Sequence, residues 1–378
     1  MEIKLPKYLK AVVLLLGIIL LVWLLQLFKS IFVPLAFSLL FALLLLPLNR
    51  DLEKLKVPRP LAIIFSIILV MTVLVLVIWF ISAQLMGLTS ELDTISGNIG
   101  TLLENVQGFL FDKFGIQPSN RTDLITNMIS SLQDIAGTFL GSTISMTTGL
   151  LAALTVVPIY VFCLLYYRDH LEQFLFKLVT KDRRGNLIHT ITNIQRVVQS
   201  YLSGLMIVIV IVSLLNSAGL LLLGVKYAIF FGVFASILTI IPYIGILIGS
   251  LLPALITLAT TGHLLDAFLV VGVFVFVQFL EGNFITPFIV GSKVSINPFA
   301  AILALLTGGE IWGAAGMVMA LPVIAMLKVI FDSYPPLEPL GFLLADIDDV
   351  KPHKRKRKVK DFFMEIINGL GHGKKSDD

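Results

Sequence analysis

Charge is what this sequence has least of. Asp, Glu, Lys and Arg make up 14% of its 378 residues, against about 25% in an ordinary soluble domain. Hydrophobic residues make up 57%. A soluble fold turns much of its surface to water and cannot hide so much apolar area. Cysteine is nearly missing. Cys163 alone excludes an internal disulfide and any zinc site built from cysteines. It lies in an apolar run, where a packed thiol is expected. Enzyme motifs are missing too: no HExxH zinc motif and no G-x-x-x-x-G-K-[ST] phosphate loop occurs. Residues 371–376 (GHGKKS) resemble the loop faintly, but Asn368 stands where its first glycine belongs. No Ser–His pair or paired Asp in an apolar run suggests a protease. The expectation is a non-enzyme with no cofactor and no metal. No small-residue cleavage site follows the first apolar stretch, so no cleavable leader is expected.

What is present is long apolar runs. A bilayer core of about 30 Å takes roughly 20 apolar residues as helix. Continuous runs exclude a barrel, which would alternate. The sequence predicts an all-α polytopic membrane protein of about eight apolar elements. Residues 1–83 read as a three-span scaffold, with spans at 11–28, 31–48 and 61–83. Pro34 interrupts the second span and Pro47 ends it. Residues 84–142 read as an extracytoplasmic helical hairpin, because Leu85, Leu88, Leu92, Ile95, Ile99, Leu102, Val106 and Phe109 recur in steps of three and four. That stripe packs on its own partner helix or joins subunits. A fourth span covers 143–167. Residues 168–200 read as a cytoplasmic, interfacial amphipathic hairpin whose Ile188, Ile191, Ile194 and Val198 run into a fifth span at 201–223.

Residues 201–334 form the expected transport region. Its apolar chain is interrupted by Pro242, Gly245 and Pro253, and again by Pro287, Gly291 and Pro298. Both proline pairs are eleven residues apart, a weak internal echo. Paired interrupted segments point to a transporter binding site formed by broken or re-entrant helices. The alternative is kinks relieved by neighbouring helices. Gly308, Gly309, Gly313 and Gly316 follow, and Gly309 with Gly313 makes a small-xxx-small pair for close helix packing.

Ionisable residues inside apolar runs are rare and usually face a cavity or a partner. Gln278, Glu281 and Asn283 cluster just before Pro287. Gln278 and Glu281 are three apart and share a helix face. Glu281 is the first choice for solute or ion binding and for proton exchange. Its alternative is a helix end at the membrane interface. Tyr243 beside Pro242 offers a hydroxyl to a polar solute. Glu310 reads as an interfacial turn residue, Lys293 as a snorkelling or paired cation, and Asn216 as a packing residue. His263 and Asp266 sit in a short polar loop.

Positive charge near span ends favours the cytoplasm. Lys4, Lys7 and Lys10, the Arg50–Arg59 loop and the basic residues of 168–199 alternate consistently with the 84–142 segment, which has two basic residues against six acids. Both termini are therefore expected in the cytoplasm. Residues 335–378 read as a basic cytoplasmic tail. Its Lys351–Lys360 run suggests contact with anionic lipid and not nucleic acid.

The stretch from Gln278 through Glu281, Asn283 and Pro287 to Gly291 resembles the signature of the autoinducer-2 exporter (AI-2E) family. Asn297-Pro298, Gly308-Gly309, Trp312-Gly313, Gly316 and Leu321-Pro322 continue the likeness, as do Ile241–Gly245, Pro253 and Pro158-Ile159-Tyr160. The resemblance covers nearly the whole chain except the tail and the detail of 84–142. It implies inner-membrane proteins of about eight helices, assembled as homo-oligomers such as pentamers. Some members are associated with export of the quorum-sensing signal autoinducer-2, others with sodium–proton exchange.

The leading expectation is a secondary transporter that exports a small polar solute, with H+ or Na+ as coupling ion. A sodium or lithium–proton antiporter is the alternative. A non-transporting membrane scaffold is the third reading.

Overall fold

The computed structural model describes residues 6–89, 155–181, 184–240, 244–289 and 296–346. The described chain is all-α; its lone β feature is an antiparallel bridge between Ile296 and Ala345. Without water to satisfy the backbone, a lipid-facing segment must bond internally, and long runs of Leu, Ile, Val and Ala do so as helix. Five described helices are long and apolar enough to cross a membrane, and five shorter apolar helices accompany them. The chain is a polytopic membrane protein. Most of the expected 84–142 hairpin and the basic part of the tail lie outside the described residues.

Helix α1 (Lys7–Leu27) and helix α2 (Lys29–Lys54) are joined by Phe28 alone. α1 is exposed along nearly its whole length. Two bonds fix its C-terminal end: Trp312 Nε1 donates to the Leu25 carbonyl at 2.9 Å, and Gln26 Nε2 donates to the Glu310 carbonyl at 3.3 Å. α2 runs straight through Pro34 and Pro47. A proline inside a helix removes one hydrogen bond and frees the carbonyl four residues back. For Pro47 that carbonyl belongs to Leu43, and Gln199 from a distant helix donates to it at 2.9 Å.

Helix α3 (Arg59–Thr89) extends past the expected end of the third span. Helix α4 (Thr155–Tyr166) bends at Tyr167 into helix α5 (Arg168–Leu178). Cys163 is exposed on α4, contrary to the packed thiol expected. Val161 and Leu165 take the inward face and join Leu45, Leu46 and Ile63 in a core cluster, so Cys163 looks outward. The expected 168–200 hairpin corresponds to α5 and the first turns of helix α6 (Arg184–Leu222). No residue of α5 is buried. α6 has 39 residues and rises about 58 Å, well beyond the hydrocarbon.

Helix α7 (Ala228–Leu238) and helix α8 (Ile244–Thr261) fold back on each other. α7 rises only about 16 Å, half of the bilayer core. Gly249 packs against Ala235, and Gly245 packs against the Leu238–Thr239 backbone, where a Cβ would find no room. Phe230, Phe231, Phe234, Leu220, Val270 and Phe274 form the core around this hairpin. Pro253 was expected to mark a break, but it is buried inside α8, which continues past it. The break instead falls between Leu238 and Ile244; Pro242 and Tyr243 lie outside the described residues.

Helix α9 (Leu264–Leu280) starts after Gly262, whose φ is +75°, with Asp266 in its first turn and His263 as the capping residue. It passes through a π turn (Glu281–Ile285) into the short α10 (Thr286–Ile289). The expected break at Pro287 is therefore a widened turn within one 26-residue run, Leu264–Ile289. Gly291 and Lys293 lie outside the described residues. Pro298 opens helix α11 (Pro298–Trp312), and Asn297 caps it by accepting the Ala300 N–H at 2.8 Å. The two proline pairs thus play unlike parts, and the echo is not a structural repeat in the described residues.

Helix α12 (Ala314–Ser333) returns against α11. The turn residue is Gly313, with φ +63°, a conformation other residues adopt only with strain. Gly309 and Gly313 therefore do not form the expected in-helix pair. The close approach is between Gly308 and Gly316 across the turn: a Cβ on either would strike the other's carbonyl oxygen. The first residues of the tail are helical. Helix α13 (Glu338–Leu344) packs on α12, with Gly341 against the Asp332 carboxylate.

Candidate functional site

The site builds on the π turn. Pro287 lacks an N–H, and its ring would clash with the carbonyl four residues earlier, that of Asn283. A turn with bonds from i to i+5 relieves that crowding. The Thr286 N–H accordingly bonds the Glu281 carbonyl, five residues back. In a regular α-helix, residues five apart point in different directions. Here the wider turn stacks them, and the Thr286 hydroxyl donates to Glu281 Oε1 at 3.4 Å.

Glu281 is half-buried, and its other carboxylate oxygen, Oε2, is buried with no hydrogen-bond partner among the described residues. No Lys or Arg of the described residues forms an ion pair with it. A buried carboxylate oxygen without a partner is costly. It is a place where a proton, a cation or a solute hydroxyl would be favourable. Gln278, one turn earlier and half-buried, stands near the end of the helix that leads into the π turn. Asn283 does not join them. It is exposed and bonds its own helix, donating to the Phe279 carbonyl at 2.9 Å. Ile285 and Ile289 pack on Val208, Val212 and Val277, which seats the turn against α6.

The remaining predicted residues scatter. Glu310 is exposed near the end of α11, far in sequence from the π turn. Asn216 is 2% exposed and donates to Ser236 Oγ at 3.4 Å, so it ties α6 to α7. A separate polar cavity of about 230 Å³ opens where the two ends of the α7–α8 hairpin meet, lined by Gly224, Lys226, Thr257, Thr260 and Asp266. Thr286 is the member of the π-turn set that sequence reasoning did not assign a role. Its signal was a hydroxyl five residues after Glu281, which is informative only in π register.

Charge gathers at the far end of α2. Glu53 meets Arg168 at 2.5 Å and Arg59 at 3.7 Å, while Arg59 meets Asp169 at 2.7 Å. Hydrogen bonding from Arg59, aided by its charge and that of Arg168, holds the Asp169 carboxyl below the usual carboxylate range. These pairs clamp the α4–α5 bend onto the α2–α3 turn.

The family described as AI-2E family transporter matches residues 11–336. The Bacillus subtilis (strain 168) protein YrrI is 30% identical over 314 residues, covering 80% of this chain and 86% of YrrI. YueF of the same organism is 26% identical over 314 residues, covering 80% of this chain and 84% of YueF. The Escherichia coli (strain K12) protein named AI-2 transport protein TqsA is 24% identical over 322 residues, covering 84% of this chain and 90% of TqsA.

Proposed function

We propose, for a chain that belongs to the AI-2E transporter family, that it is a secondary transporter exporting a small polar solute across the cytoplasmic membrane, coupled to protons through Glu281. The name of TqsA makes autoinducer-2 the first cargo to test. The observation that carries the reading is the Glu281 carboxylate in the π turn. One oxygen is held by Thr286 and the other is buried and unpartnered among the described residues, inside a run long and apolar enough to cross the membrane. Intramembrane carboxylates of this kind mark solute paths and proton relays. Gln278 adds a second polar group on that face. Asn283 and Tyr243 take lesser parts as outer contacts, and the stretches at Pro242 and Gly291, with the widened turn before Pro287, serve as hinges. Both termini face the cytoplasm, and the protein works as a homo-oligomer.

Inside-out vesicles carrying the protein test this reading. With an acidified interior they should take up labelled autoinducer-2 saturably, and a protonophore should stop the uptake. Sodium-dependent proton movement without solute uptake would favour the antiporter instead. Neither activity would remove the proton-coupled reading.

A further inference from the structure

A second polar site lies away from the π turn, where α2 ends beside α6. Arg50, Asp51 and Lys54 of α2 face Thr192, Gln195 and Arg196 of α6 across a cleft of about 310 Å³. Its charges do not cancel. Asp51 is taken by Lys54 at 2.7 Å. Arg50 makes no ion pair among the described residues. Among the described residues Arg196 reaches only the Asn193 side-chain oxygen, at 3.4 Å. Three cations and one carboxylate leave the cleft with two unbalanced positive charges. Its walls are held in register by the Gln199 bond to the Leu43 carbonyl, since Gln199 and Pro47 also line it.

We propose that this cleft binds a phosphate-bearing anion between Arg50 and Arg196. Guanidinium groups match phosphate oxygens with paired, charge-assisted hydrogen bonds. The polar threonine and glutamine side chains of α6 supply further donors. The depth fits as well. Apolar α2 ends at Leu48, two residues before Arg50, and the apolar half of α6 begins near Tyr201, five residues after Arg196. Both arginines therefore stand within about one and a half turns of the hydrocarbon, at the level of phospholipid headgroups. The anion is a lipid headgroup or soluble phosphate, and the test separates these. The site does not depend on what the π turn carries.

The test uses the full-length protein in detergent. Binding of short-chain phosphatidylglycerol is measured against short-chain phosphatidylcholine, with and without inorganic phosphate. Saturable binding of the anionic lipid is expected, weakened about tenfold or more in the double variant Arg50→Gln, Arg196→Gln, which loses both charge-assisted contacts. Arg50→Gln alone should show an intermediate loss, which guards against misfolding of the double variant. Competition by millimolar phosphate assigns the site to phosphate itself, and no competition assigns it to the lipid. Saturable phosphate binding without lipid binding, lost in the same variants, also supports the cleft. Binding of neither anion would overturn the proposal. So would binding unaltered in the double variant, or binding that follows neutralisation of the Lys354–Lys358 tail charges instead.

Discussion

Thr286 reaches Glu281 twice: its N–H bonds the Glu281 carbonyl, and its hydroxyl lies 3.4 Å from Glu281 Oε1. Both contacts exist because the chain takes a π turn ahead of Pro287. π turns inside helices are frequent at functional sites. This one leaves a carboxylate half-satisfied within an apolar run, so the local geometry creates the chemistry that the transport reading needs.

Thr286→Val keeps the shape and the backbone bond but removes the hydroxyl. Coupled flux should persist with its apparent solute or proton affinity changed by about three- to tenfold, the scale of one ordinary hydrogen bond, because the contact is long at 3.4 Å. Flux measured against pH in vesicles checks this. An unchanged profile would detach Thr286 from the site.

Gly316→Ala places a methyl against the Gly308 carbonyl oxygen. The α11–α12 hairpin must open to admit it, at a cost of about 1–3 kcal/mol. The thermal unfolding midpoint in detergent should fall clearly below that of the parent. Ala at Gly272, where a Cβ meets nothing within 4 Å, is the matched control and should change it little.

Gln199→Leu leaves the Leu43 carbonyl, already deprived of its helical partner by Pro47, without a donor. A buried carbonyl left unbonded costs about 1–3 kcal/mol. The variant should melt earlier. Adding Pro47→Ala should restore much of the loss, because the helix then supplies the donor itself. Failure of that rescue would refute the pairing.

The Arg59–Asp169 pair gives a pH signature. The Asp169 carboxyl is held low in the folded protein, chiefly by hydrogen bonding from Arg59. It therefore contributes stability above the ordinary carboxylate range and loses it as pH falls through its lowered value. Asp169→Asn should lower the melting midpoint slightly at neutral pH and make no difference in strong acid. The side chain is 57% exposed, so the effect is small. A gap between parent and variant that grows in acid would reverse the assignment.

The sequence showed much of this because its signals are local. Ile188, Ile191, Ile194 and Val198 keep helical spacing into an apolar run, and α6 continues unbroken through both. Gln278 and Glu281 stand one turn apart, where helix α9 runs into the π turn. Prolines were harder to read. The same residue type lies buried inside α8 at Pro253, opens α11 at Pro298 and widens a turn before Pro287. Which outcome wins depends on neighbours that a sequence does not display.

Glycine spacing misled for a related reason. Gly309 and Gly313 fit one helix face, but Gly313 takes a positive φ and ends the helix. The approach of Gly308 to Gly316 appears only once the chain has turned back. Long-range partners left no trace at all. Leu43 and Gln199 are 156 residues apart, and Arg59 and Asp169 are 110 apart. Nothing in either neighbourhood announces the other.

The most direct measurement is proton-coupled flux of labelled autoinducer-2 in proteoliposomes, parent beside Glu281→Gln, with and without a pH gradient. Glutamine keeps the size and hydrogen-bonding capacity of the side chain but cannot exchange a proton. The account predicts that the variant assembles normally, loses the response to the gradient and retains at most slow exchange. A variant that still concentrates solute on a pH gradient as the parent does would contradict it.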